Sequence, residues 1–577
     1  ATTSITGGTI GQNSIADTHG LVFGGCLGKA GPAYSGYSFV NNSVVTLNGG
    51  TVYGCVFGGG ENGHLLNNTQ VNIKSGTVGI PLDEEHIADA DLNNNMIYRG
   101  NVYGGGRGID QTSGGDYSIT AGKVAGNTNV TIEGGIVYRN VYGGGSLASV
   151  GIRDEESDTN GKATVTIKGG QIGTDGGASA NDYTTNIPNR EHRRENGFVF
   201  GSGRGMAAGA VGNSTLVHLA YTKNTVVNIE GTANVTGSVF GGGENGHVSY
   251  NTKVYVKDNS YVGTELTEAE HVIDDNGRGR LLYRGNVYGG GRGIDMGTDG
   301  RLSLTAGLVS GNTFVEVSGG KIYHDVFGGG SLATVGTATV DSSTGTVTYG
   351  TESGKTEVHI KGGIIGYTTN EDKQGFNCGF VYGGCRGLAA APNTDVVKIA
   401  YVHNAYVYIE PGADIKGSVF GGGANGHVNG NTNVEISGGS IGTKLLADEV
   451  GFDDHGVAVK PVFRGNVYAG GRGVDLYQQE GTDNYSLTAG AVYGNATLLM
   501  TGGHVWHNVY GSGAMASVGT VETKPAGAHV HDEIVDAGGN IVNPDGSEVN
   551  YLTGVFKENT GTVTVTITGG TVGDTTP

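Results

Sequence analysis

Valine followed by an aromatic ring recurs twelve times along this chain. The rings are Phe23, Phe57, Tyr103, Tyr142, Phe200, Phe240, Tyr288, Phe327, Tyr382, Phe420, Tyr468 and Tyr510. Glycine follows each ring except at Ala469. The copies lie 34 to 58 residues apart. A unit repeated this often does not build one globular core; it builds similar layers stacked along an axis. The rings are expected to line up as a row, and the glycines to let backbone pass close to the neighbouring layer.

A second motif precedes the first. It reads Asn129-Val130-Thr131-Ile132-Glu133-Gly134-Gly135 in one copy and Val563-Thr564-Val565-Thr566-Ile567-Thr568-Gly569-Gly570 in the last of thirteen. Apolar and polar residues alternate, so Val130 and Ile132 share one face of a strand and Thr131 takes the other. The glycine pair permits a tight corner. With 113 glycines, collagen and disorder are the obvious alternatives. Collagen fails because no Gly-X-Y triplet runs through the chain. Disorder fails because Val, Ile, Tyr and Thr recur at fixed offsets, which is strand chemistry.

The expected fold is all-β: a parallel β-solenoid in which valine rows fill the interior and backbone groups pair between layers about 4.8 Å apart. Twelve layers make a rod of about 60 Å, or twice that if each repeat winds two coils. The glycine tracts also cycle through four variants, typified by Val56–His64, Asn101–Asp110, Asn140–Gly151 and Phe198–Gly205. That gives a super-period of about 180 residues. The expected division is 1–162, 163–355 and 356–562, with 563–577 beginning a further repeat or serving as a stacking strand. Acidic insertions recur near 80–98, 264–283 and 443–463, and the last copy carries another at about 521–560. The first and last segments match in phase, which leads to the expectation of a longer array or of head-to-tail stacking into a filament.

Net charge is −20, which sets the chain apart from nucleic-acid binders, whose phosphate contacts need a basic face. No run of about 18 apolar residues suggests a membrane-spanning helix. The chain begins at Ala1 without a basic-then-apolar segment. The four cysteines, Cys26, Cys55, Cys378 and Cys385, form no regular framework. They are read as free thiols acting as small hydrophobes, with a Cys26–Cys55 pair as the alternative.

The phrase TNVTIEGGIVYRNVYGGGS at 128–146 resembles the glycine-rich repeats of large secreted or surface-anchored bacterial proteins. Those are similar to the pectate-lyase-like right-handed parallel β-helix superfamily and its adhesin members. The resemblance implies right-handed winding, an extracellular or bacterial cell-surface location, and surface glycans or proteins as partners. It does not choose an activity, because that superfamily hosts lyases, hydrolases, adhesins and passive fibres.

Four constellations merit weighing. Gly105-Gly106-Arg107-Gly108-Ile109-Asp110 fits the start of a calcium nonapeptide and recurs to Asp295 and Asp475. Calcium there would need shared tandem turns, whereas these turns are isolated. Local pairing of Arg107 with Asp110 is the preferred reading, and a calcium-dependent surface-layer component the alternative. Glu61-Asn62-Gly63-His64 recurs as Glu244 to His247 and, with alanine for glutamate, as Ala424 to His427. Asn-Gly marks a turn, and a repeated shallow binding site involving Glu61, His64, Glu244, His247 and His427 is the sharper reading. His529, His531, Asp532 and Glu533 could take a metal, and Arg190, His192, Arg193 and Arg194 form a basic cluster. No residues are assigned to catalysis or cofactor binding, since near-equal copies suit scaffolding better than one asymmetric active centre. The expected role is a structural, adhesive, self-associating fibre protein. A carbohydrate-active enzyme on the same scaffold, whose carboxylate pair would have to face outward from a strand, is the runner-up.

Overall fold

The structure is a computed structural model. It describes residues 1–13, 19–29, 37–81, 99–108, 118–152, 160–174, 196–205, 219–266, 284–293, 305–341, 347–388, 399–446, 449–450, 462–473, 477–479, 482–484, 488–523, 534–535, 541–542 and 555–573. These residues are nearly all β, and their helical content is one three-residue 3-10 turn at Glu371–Lys373. Most strands belong to two large sheets, one of 22 strands and one of 12.

The thirteen alternating motifs, with their post-glycine extensions, make the larger sheet. Thr128–Ile132 is a representative strand; Val130 and Ile132 are fully buried, whereas Asn129 and Thr131 are half-buried on the opposite face. The strand pairs in parallel with Thr69–Val78 on one side and Lys162–Ile167 on the other, valine against valine. The same row runs Val45, Val71, Val130, Val165, Val227, Val254, Val315, Val358, Val407, Val434 and Leu498. A one-residue slip would turn this whole row outward, so burial fixes the register.

The twelve Val-aromatic pairs make the smaller sheet, two residues per strand and all parallel. Each repeat therefore adds one layer. Successive rings from Phe23 to Tyr510 stack with centroids 4.6–5.0 Å apart and planes 3–14° apart. That distance is the separation of hydrogen-bonded strands, so the rings stack as a by-product of the ladder. Each contact adds roughly 0.5–1.5 kcal/mol beyond area burial. Phe198 and Phe380 each pack edge-on against the ring of their own layer and of the next.

Glycine after the ring has a steric cause. A Cβ at Gly201 would stand 2.1 Å from the Gly241 carbonyl oxygen. Opposite these tracts, the first inward-facing residue of an alternating strand often carries a buried hydroxyl. Thr128, Thr225, Thr313 and Thr356 each donate to the carbonyl of Gly143, Gly241, Gly328 and Gly383, at 2.6 Å in every case. These bonds tie the two sheets together across the interior.

Side-chain relays reinforce the stack at two places. Before the alternating strands, Asn68 accepts the backbone N–H of Asn127, Asn251 that of Asn312, and Asn431 that of Asn495. Before the Val-aromatic strands, Asn101 accepts the N–H of Asn140, and Asn140 that of Phe198. The same relay passes from Ser238 to Asn286, Asp325 and Phe380. Phenylalanine has no acceptor, so the relay stops at Phe198 and Phe380. A third row of contacts, absent from the sequence reading, joins single residues: Leu65, Val124, Val150, Thr222, Val248, Val309 and Val335. It continues through Val402, Val428, Val492 and Val518.

Candidate functional site

Just past the glycine tracts, one residue per layer forms a column. Leu27, Glu61, Arg107, Ser146 and Arg204 are linked as parallel bridges. Glu244 and Arg292 occupy the corresponding places in later tracts. Arg107 meets Glu61 of the preceding layer at 3.2 Å. Asp110, the expected partner, lies outside the described residues; among them, the carboxylate that meets Arg107 lies one repeat back. Glu244 lies between Arg292 at 3.4 Å and Arg204 at 3.9 Å, and its Oε2 accepts the Tyr142 hydroxyl at 2.7 Å. Burial, then the Glu244 charge, pushes the Tyr142 phenol well above its usual range. Arg292 is almost fully buried. Removing Glu244 would leave desolvated guanidinium charge behind, a costly change. In the third super-period Ala424 replaces the glutamate, and the Arg472 guanidinium lies 5.6 Å from the Phe380 ring centroid.

The histidines of the same tracts are separated. His64 opens the short strand His64–Leu65 and pairs with Phe39. His247 and His427 are buried. Their copies sit four layers apart, about 19 Å at one strand spacing per layer, so they do not share one ion. Among the described residues, no three His, Cys, Asp or Glu side chains are grouped to hold a metal. His427 stacks on Tyr401 at 4.6 Å, and its Nδ1 is buried with no hydrogen-bond partner among the described residues. Burial pulls its pKa down to about 4. Asp110, Asp295 and Asp475 lie outside the described residues, as do the 190–194 basic cluster and the 529–533 segment.

All four cysteines are free. Cys55, Cys378 and Cys385 are buried, whereas Cys26 is only partly buried and donates to the Ser38 carbonyl at 2.7 Å. Burial raises the three buried thiols, Cys55 and Cys385 to about 12, which keeps them protonated and unreactive. No helix among the described residues is long and apolar enough to cross a membrane.

Two surfaces depart from the repeat, and the sequence reading anticipated neither. On the outer face of the large sheet, Tyr255, Phe314, His359 and Tyr408 form a run of ring contacts across four layers. The second is a cleft of about 560 Å³ on the face carrying the third row of contacts. One wall comes from the antiparallel hairpin Ala338–Val340 with Val347–Tyr349. Tyr349 lies against Tyr401, with centroids 4.0 Å apart and planes 17° apart. The other wall is the turn at 557–560. It is held by Lys557 N–H to the Thr520 carbonyl at 2.7 Å and by Thr560 Oγ1 to the Lys557 carbonyl at 2.8 Å. Tyr493 and Asn429 lie between them. No family model, no curated protein and no solved structure matches this chain, so its function is argued from these surfaces and this stack alone.

Proposed function

We propose that the chain is an extracellular structural and adhesive protein, wound as a right-handed parallel β-solenoid in three four-layer super-repeats and associating with further copies into a fibre. One observation carries this reading: alternating strands and Val-aromatic strands pair in parallel, layer upon layer. The recurrence of Phe198 and Phe380 at matching places supports the four-layer period. Uniform layers support self-association, since each layer presents to the next what it received from the last. Variation is concentrated in the insertions, where a scaffold carries its contacts.

Negative-stain microscopy and sedimentation test the proposal. Rods of about 60 Å at one strand spacing per layer, or threads built from them, are expected. Compact particles without an axial repeat would refute the solenoid, and a monomer persisting at high protein concentration would remove the fibre.

A further inference from the structure

We infer that the cleft between the 338–349 hairpin and the 557–560 turn binds a neutral oligosaccharide. The argument begins with what lines it. Three of its side chains are tyrosines, Tyr349, Tyr401 and Tyr493, and the remainder are amides, hydroxyls, glycines and one Lys-Glu pair; no aliphatic residue is among them. An apolar peptide side chain would find no greasy pocket here. A sugar ring has C–H groups on its faces and hydroxyls around its rim; the half-buried Tyr349 and Tyr493 offer apolar ring surface with a polar tip, while buried Tyr401 is packed between Tyr349 and His427 and backs them. Asparagine supplies donors and an acceptor together, which suits a hydroxyl that does both. The Asn429 side chain is half-buried and makes no hydrogen bond among the described residues. The volume lies within the range of about 300–1,000 Å³ typical of ligand sites.

Charge selects the neutral class. Lys557 and Glu558 are both exposed at the turn and cancel. A uronate or sulfated chain would also approach a protein of net charge −20 against its field.

The cleft is a departure from the repeat. Asn429 and Tyr493 each lie one residue past a bridged valine, Val428 and Val492. The corresponding residues after Val248 and Val309 are Ser249 and Ser310. Ser249 donates to the Tyr221 hydroxyl at 2.7 Å, so the serine is committed internally. The larger residues are found where Tyr349 and the 557–560 turn, from distant parts of the chain, line one cleft. The turn wall is already braced, which reduces the ordering a ligand would have to impose.

This assignment rests on the adhesive part of the proposed function and names its ligand class. The test presents the full chain to an array of neutral gluco-, manno-, galacto- and N-acetylhexosamine oligomers, beside anionic glycans and aromatic- or proline-rich peptides. Retention on a neutral series is expected, and Tyr493→Ser and Asn429→Ala should each weaken it at least ten-fold. Tyr493→Ser restores the residue that follows Val309, so the fold should accept it; circular dichroism and rod images confirm that it does. Retention on anionic glycans or peptides alone, no retention at all, or undiminished binding by both folded variants would overturn the assignment. Rods that image normally yet bind nothing would remove the ligand and leave the scaffold reading intact.

Discussion

Asp325 sits in a relay position that its counterparts fill with asparagine, and this makes it the sharpest place to perturb the molecule. It is 4% exposed, and its Oδ1 accepts the Phe380 N–H at 2.9 Å. Asn140 does the same for Phe198 at 2.9 Å. Burial raises the Asp325 carboxyl from 3.8 to about 7, against the lowering effect of the Phe380 N–H and of Arg472 and Arg386. A raised carboxyl favours the folded state when protonated. Its contribution is therefore fully present below about pH 4 and is lost as pH rises through about 7. The interval of about 3 units, at about 1.4 kcal/mol each, makes the ionised form about 4 kcal/mol less favourable in the fold than in the unfolded chain.

Asp325→Asn keeps the acceptor and removes the charge. Its stability relative to wild type should rise from a constant offset near pH 3 by about 4 kcal/mol at pH 8. The offset is expected because Asn140 can reach the Tyr142 hydroxyl with its amide, at 3.4 Å, whereas Phe327 gives position 325 no such partner. An unmet amide donor costs about 1 kcal/mol or more, independent of pH. Denaturant midpoints for both proteins between pH 3 and pH 8 provide the measurement. Parallel pH profiles would refute the reasoning, since they would mean that the carboxylate is already solvated or neutralised.

His427 gives the opposite limb. Its pKa, lowered by burial to about 4 from 6.5, contributes stability present above pH 6.5 and lost as pH falls through about 4. His427→Phe should flatten acid destabilisation in that window in the same denaturant assay. Phe240→Ala, deleting a fully buried ring stacked on both sides, should cost about 3–5 kcal/mol by denaturant melts. Gly201→Ala would press a Cβ into the Gly241 carbonyl. It should cost at least 1–3 kcal/mol, with faster amide exchange in that layer than elsewhere. Thr225→Val removes the 2.6 Å bond to the Gly241 carbonyl and should cost about 1–3 kcal/mol, read by the same melts.

The strands were legible where a period-2 alternation or an identical dipeptide recurs, because one residue's burial then predicts its counterpart's in every layer. Val130 and Tyr142 are such cases, and both fall where the pattern puts them. The third row was not legible. Val124 and Val150 are each one-residue bridges to the layers on either side, set inside Gly-, Ser- and Ala-rich sequence, which has no period to read. The Arg107–Glu61 pair was not legible, because in this stack the partner of a charged side chain can lie a whole repeat away in sequence. The cleft was invisible for a stronger version of the same reason: Tyr349 and Lys557 lie about two hundred residues apart yet line the same cleft.

The one-layer-per-repeat arrangement has a mechanical consequence. Backbone bonds such as Val141 N–H to the Phe198 carbonyl, 2.8 Å, run from layer to layer. Tension along the stack loads every bond of a layer at once, and the side-chain relays share that load. A sideways tug on one insertion instead meets a single layer's edge and peels its bonds in succession. A stack made this way is strong end to end and weak when plucked from the side.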